Sequence, residues 1–169
     1  MVDSQQKIAE INKETILSLL EEVKDPEIPT ISLVDLGVIT DILIEKDNHV
    51  TVNMTPTFAG CPAMDYMRKN VEEVLEENGI TSFNVVVNFD RPWSSNYITT
   101  KGLAAIKKHG LAPPPKHNLI IDIDILKDAE CPFCSSNNTE LKSPFGPTLC
   151  RSLHYCNNCS QAFEQFKPI

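Results

Sequence analysis

Two C-x-x-C pairs, Cys131-Pro-Phe-Cys134 and Cys156-Asn-Asn-Cys159, close the last quarter of this 169-residue chain and are separated by residues 135–155. That spacing is close to the zinc-ribbon pattern, in which each pair forms a turn that aims backbone amides at the thiolate sulfurs. Two such turns complete a tetrahedron, and a closed four-thiolate shell has no open position, so structural zinc on Cys131, Cys134, Cys156 and Cys159 is the expectation. So short a segment cannot hold a core without a staple. A rubredoxin-like iron site uses the same ligands, and spacing alone does not exclude it. A dithiol redox pair would need a C-x-x-C beside a βαβ pattern, which is not expected here. Cys150 and His154 lie outside the quartet; either could stand in for a knuckle cysteine, but four ligands are already supplied at better spacing, so both are read as packing groups or groups beside the metal ligands. Phe133, Phe145, Tyr155, Phe163 and Phe166 are expected to make a miniature core of the ribbon.

The remaining cysteine, Cys61, stands apart, so five of the six lie beyond residue 130. The opening MVDSQQKIAEINKE has no apolar core of a secretory signal, and in a cytoplasmic chain this distribution favours metal over disulfides. The net charge of -8 is divided just as unevenly. In residues 127–169, Lys127, Lys142, Arg151 and Lys167 balance Asp128, Glu130, Glu140 and Glu164, so the excess belongs to residues 1–126. An acidic surface argues against DNA, RNA or anionic membrane as partners. No apolar run approaches a membrane span.

Hydrophobic periodicity outlines the first part of the chain. Ile8, Ile11, Thr15, Ile16, Leu19, Leu20 and Val23 recur at helical spacing, which predicts a helix from about Ser4 as N-cap to Lys24, ended by Asp25-Pro26. A β-hairpin follows, with one strand over 38–45, a turn at Lys46 to His49, and Val50, Val52 and Met54 alternating with polar residues. Pro62 suits a first helical position, Met64, Met67, Val71, Val74 and Leu75 form an apolar stripe, and Asn78-Gly79 ends the helix. Phe83, Val85, Val87 and Phe89 predict a third strand, and 98–109 a second, weaker helix that Gly102 weakens further. The three prolines after Ala112 mark a linker, and Leu119, Ile121, Ile123 and Ile125 predict a strand leading into the cysteine module. The fold class is α+β, a small sheet covered on one face by helices, followed by a C-terminal zinc ribbon. The expected division is a domain over 1–112, a proline-rich linker and connecting strand over 113–126, and the ribbon over 127–169. An exposed sheet edge would allow a homodimer.

Cys61 falls at or beside the start of the helix that Pro62 opens. There the unpaired amides and the helix dipole favour a thiolate, lowering its pKa and making it a better nucleophile or metal ligand; a buried, inert cysteine is the plainer reading. Thr55, Thr57 and Gly60 build the polar loop that leads to it, and the loop over 25–37 carries Asp25, Glu27 and Asp35 with no regular element to explain them. His49, His109 and His117 supply no Cys/His/Asp constellation, so no catalytic residue is assigned.

The segments DPEIP (25–29), DLGVI (35–39), TPTFAGCPAMD (55–65) and RPW (91–93) resemble, in order, the motifs of the MIP18 family, also called the domain of unknown function 59. With CPFC, FGPTLC and CNNC added, the whole chain resembles the D-component family of phenylacetyl-CoA epoxidase systems; after RPW it reads SSNYIT, where that family tends to have an acidic residue and a second tryptophan. The resemblance implies a role in iron-sulfur cluster assembly or delivery, with Cys61 at the family's GCP cysteine as a transient cluster ligand. It implies an accessory or maturation factor whose partners are the di-iron oxygenase and the flavin and iron-sulfur reductase of phenylacetyl-CoA degradation, not the catalytic component. The chain has neither the Glu-x-x-His pairs of a di-iron bundle nor a glycine-rich dinucleotide fingerprint. The alternatives are a scaffold component in which Cys61 is merely packed, and a thiol redox enzyme that uses Cys61 with a ribbon cysteine.

Overall fold

The computed structural model describes residues 11–118, 123–127 and 129–169. Helix α1 (Lys13–Leu20) is followed by strands β1 (Ile39–Ile44) and β2 (Val50–Met54), helix α2 (Met64–Glu77), strand β3 (Phe83–Val87) and helix α3 (Thr100–Lys108). β1 and β2 pair antiparallel as the expected hairpin, and β2 and β3 pair parallel, so the sheet order is β1-β2-β3. A parallel pair needs a crossover, and α2 supplies it. The βαβ unit that the sequence was not expected to contain is therefore present, but both C-x-x-C pairs lie outside it.

Strict alternation puts Val50, Val52 and Met54 on one face of the sheet, where they are buried with Ile16 and Leu20 of α1 and Met67, Val71 and Leu75 of α2. The opposite face leaves Leu43 and Val86 exposed. This is the α+β arrangement of helices on one face of a small sheet.

The first helix starts later than its periodicity suggests. Asn12 has an extended backbone and its side chain accepts a hydrogen bond from Thr15 N, so Asn12 is the N-cap; Ser4 lies outside the described residues. α3 likewise begins at Thr100, with the Thr99 hydroxyl accepting from Gly102 N. Gly102 is no mere weak point. A Cβ there would come within 2.6 Å of the Asp35 carbonyl oxygen, so its absence lets α3 lie against the loop over 25–37.

The cysteine segment forms a second antiparallel sheet, β4 (Thr139–Ser143), β5 (Arg151–Cys156) and β6 (Ala162–Phe166). Residues 123–127 form a 3-10 turn where a strand was expected, and 119–122 lie outside the described residues. The ribbon is not independent of the first sheet. Ala112 is buried and bridges to β6, donating its N–H to the Glu164 carbonyl and accepting from Phe166 N. Ser95 N donates to the Ile169 carbonyl at 2.8 Å, and Arg151 reaches the Glu27 carboxylate. Phe166 and Cys150 consequently belong to the large core, not to a separate miniature one. Phe163 stays within the ribbon, whereas Phe133 and Phe145 are exposed, contrary to expectation. No helix of the described residues is long and apolar enough to cross a membrane.

Candidate functional site

Each C-x-x-C pair folds as a tight turn. Ser135 N donates to the Cys131 carbonyl and Ser160 N to the Cys156 carbonyl, both at 2.9 Å, and Ser135 and Ser160 take left-handed backbone angles. The two turns face each other so that the four sulfurs lie within 4.8 Å of one another. Cys131 Sγ is 3.7 Å from Cys159 Sγ, and Cys134 Sγ is 3.6 Å from Cys156 Sγ. A tetrahedron with Zn–S bonds of about 2.3 Å has edges of about 3.8 Å, so these residues fit a four-thiolate metal. The Asn158 amide donates to Cys134 Sγ and, with the Ser136 amide and the neighbouring thiols, draws the Cys134 pKa down to about 6. Desolvation, together with the three other thiols, pushes Cys159 up to about 12. Four thiols held this close resist ionising together unless a cation joins them.

Cys150 and His154 stand outside that quartet. His154 is buried, stacks on Phe163 with ring centroids 5.3 Å apart and pairs with the Ser152 hydroxyl; burial lowers its pKa to about 4 and leaves the imidazole neutral. Cys150 instead faces the first domain.

At the seam between the two sheets lies a cavity of about 310 Å³. Its walls include Asp25, Glu27, Thr57, Gly60 and Cys61 from the first domain and Thr148, Cys150 and Phe166 from the ribbon. Among the residues singled out in the sequence, Asp25, Glu27, Thr57, Gly60 and Cys61 are therefore brought together. Asp35 and Thr55 are not. Asp35 accepts hydrogen bonds from Thr99 and Ser32 and an ion pair from Lys101, while the Thr55 hydroxyl donates to the Arg91 carbonyl. Both belong to the frame that holds the loops. Cys150 is the wall residue that sequence reasoning missed; its signal was a cysteine outside both C-x-x-C pairs, shortly after the FGPT turn.

The position of Cys61 differs from expectation in a way that changes its chemistry. α2 starts at Met64 with Ala63 as N-cap, so Cys61 and Pro62 precede the helix and Pro62 is not its first residue. The amides of Ala63 and Met64 do favour a thiolate at Cys61, as a helix start should. Burial outweighs them, and the negative charges of Asp25 and Glu27 add to it, so the thiol is pushed up rather than down. Cys150 is raised for the same leading reason, burial, with Glu27 and Asp25 contributing. Asp25 is itself raised by burial, although its carboxylate accepts from the amides of Glu27 and Ile28 at 2.9 and 2.8 Å. A protonated thiol is a poor nucleophile at neutral pH. A cavity with two thiols and two carboxylates is instead suited to a thiophilic cation, which replaces the thiol protons and neutralises the carboxylates.

The chain resembles known proteins in both parts. Residues 13–86 match the family described as iron-sulfur cluster assembly protein, and residues 124–167 match the PaaD zinc beta ribbon domain. Over 91% of this chain and 92% of the relative, it is 32% identical to an Escherichia coli (strain K12) protein named as the D component of a "Putative 1,2-phenylacetyl-CoA epoxidase". The chain belongs to the PaaD family. The PaaD-family chain is also 32% identical, over 54% of its own length and 87% of the relative, to an Fe-S protein maturation auxiliary factor of Porphyromonas gingivalis. Its first domain resembles the crystal structure of a DUF59 domain from Bacillus anthracis, at 28% identity and a TM-score of 0.52, covering 55% of this chain and 89% of that one. The PaaD-family chain thus joins an iron-sulfur assembly domain to a zinc ribbon.

Proposed function

We propose that this PaaD-family chain is an accessory maturation factor for the multicomponent oxygenase of phenylacetyl-CoA degradation. It assists assembly of an iron-sulfur cluster or iron centre, with Cys61 as the thiol that takes the cargo. The observation that carries this reading is Cys61 on the wall of a cavity shared with Asp25 and Glu27, whose charge disfavours a bare thiolate and favours a bound cation. The cargo is iron or an iron-sulfur cluster passed on to the reductase or oxygenase, and the zinc held by Cys131, Cys134, Cys156 and Cys159 stays in place as structure. The assembly-family match over 13–86 and the maturation-factor relative support the same reading.

A scaffold component of the oxygenase complex is the second reading, favoured by the exposed Phe133, Phe145 and Leu149 on the ribbon. The two separate in cells that express the oxygenase and reductase with either the wild-type chain or Cys61→Ala. Iron and sulfide in the purified reductase fall severalfold with Cys61→Ala if the chain matures its partner. Equal loading would leave the scaffold reading.

A further inference from the structure

We infer that Cys150 is the second thiol of the cargo site, so that the iron or iron-sulfur species is held between Cys61 of the assembly domain and Cys150 of the ribbon. The inference rests on the maturation reading and adds a ligand from the other domain. Cys150 is only 8% exposed, and it lines the same cavity as Cys61.

Its placement is specific. The turn over 146–151 is closed by Gly146 N donating to the Arg151 carbonyl at 2.9 Å and Arg151 N donating to the Thr148 carbonyl at 3.1 Å. A Cβ on Gly146 would come to 3.0 Å from the Arg151 backbone, so the glycine permits this closure. Arg151 then clamps the turn against the acidic loop. One guanidinium nitrogen lies 2.9 Å from the Glu164 carboxylate, and the other donates to the Glu27 carbonyl at 3.3 Å and lies 3.5 Å from its carboxylate. The neighbour of Cys150 thereby fixes a residue whose charge bears on Cys61. The Thr148 hydroxyl is 3.2 Å from Cys150 Sγ and holds the sulfur's orientation.

A cysteine that only fills a core needs no acidic neighbours. Here both thiols share Asp25 and Glu27, and each negative charge makes ionisation of either sulfur less favourable until a cation enters. Among the described residues, only the ribbon quartet gathers three or more metal donors into one closed cluster. Each sulfur binds as a thiolate and gives its proton to solvent, so loading releases protons and removal of the cargo takes them back.

The test uses the whole 169-residue, zinc-loaded chain under anaerobic conditions, with ferrous and ferric iron and inorganic sulfide as the probe. After desalting, the wild type retains iron, sulfide and visible sulfur-to-iron absorption. Cys61→Ser and Cys150→Ser each lower that retention at least tenfold, while one zinc per chain persists in both. Undiminished retention in Cys150→Ser with loss in Cys61→Ser would overturn the role of Cys150 and leave the maturation reading intact. Undiminished retention in both, or none in the wild type, would overturn the reading itself and this inference with it. Alkylation mapped by mass spectrometry on the wild type avoids any folding defect of the variants. Iron loading protects Cys61 and Cys150 together, and a ferrous chelator restores both; protection of Cys61 alone contradicts the inference.

Discussion

Trp93 and Phe166 set their ring centroids 5.8 Å apart with the planes tilted by 54°, and that contact joins the assembly domain to the last strand of the ribbon. Both side chains are buried, and the Trp93 indole donates to the Leu36 carbonyl at 3.1 Å, so the loop over 25–37 is tied to the same junction. The cavity that holds Cys61 and Cys150 is walled in part by Phe166. Trp93 is the single tryptophan of the chain, and its fluorescence reports on docking directly. Phe166→Ala removes a fully buried aromatic and is expected to lower stability by about 3–5 kcal/mol, with red-shifted Trp93 emission. Urea unfolding followed by fluorescence measures both; an unchanged midpoint and spectrum would show that the junction is dispensable.

Asp35 holds the same loop from its other side. Thr99 Oγ1 donates to Asp35 Oδ1 at 2.6 Å and Ser32 Oγ to Oδ2 at 3.0 Å. Burial opposes ionisation of this carboxyl, but the hydrogen bonds from Thr99 and Ser32 and the Lys101 ammonium outweigh it, so its pKa lies below the ordinary value of 3.8. Asp35→Ala leaves two hydroxyls without their acceptor and is expected to cost about 2–3 kcal/mol. Because the folded pKa is depressed, the carboxylate's contribution is full above about pH 4 and is lost as pH falls through the lower folded value. Asp35→Asn should flatten the stability profile in that acid window. Well below its melting temperature, the variant should load iron normally, since Asp35 does not line the cavity. Thermal unfolding against pH and bound iron are the two measurements.

The Cys61 thiol should titrate above its ordinary value of 9.0, because burial and the Asp25 and Glu27 charges all favour the protonated form. The groups that bear on it are those two carboxylates, and on Asp25 in turn Arg151 and His109. Asp25→Asn removes one negative charge, so the apparent pKa from alkylation rates should move down. A profile that does not move would separate Asp25 from Cys61.

The four ribbon sulfurs are spaced for zinc, and metal analysis should find one zinc per chain. Cys134→Ser breaks the quartet and should abolish tight zinc binding. Ordering of residues 127–169 should go with it, measured as rapid amide exchange in β4 to β6. One iron and no zinc in the purified chain would instead assign a rubredoxin-like centre.

The local elements were legible because their signals are local. The hairpin follows from alternation around an Asn48 turn with a left-handed backbone, α2 from its apolar stripe, and the ribbon from paired C-x-x-C spacing. α1 begins at Lys13 although Ile11 continues its periodicity, because the side chain of Asn12 caps the helix. What escaped was set by contacts distant in sequence. Asp25, Glu27 and burial at a domain seam reverse the pKa shift that a helix start would give Cys61. Gly102 has the pattern of a helix defect, yet the Asp35 carbonyl stands where its side chain would be. Cys150 has the pattern of a spare ribbon cysteine, because nothing in the chain order places it on the same cavity wall as Cys61.

The central claim, that Cys61 hands an iron-sulfur cargo to a partner, is tested most directly by cluster transfer. The anaerobically loaded, zinc-containing chain is mixed with cluster-free reductase, and visible circular dichroism follows the arrival of the cluster. The wild type should transfer at least tenfold faster than equal concentrations of free ferrous and ferric iron and sulfide, and the Cys61→Ser protein should fall to the free-reagent rate. Transfer from Cys61→Ser as fast as from the wild type would contradict the account.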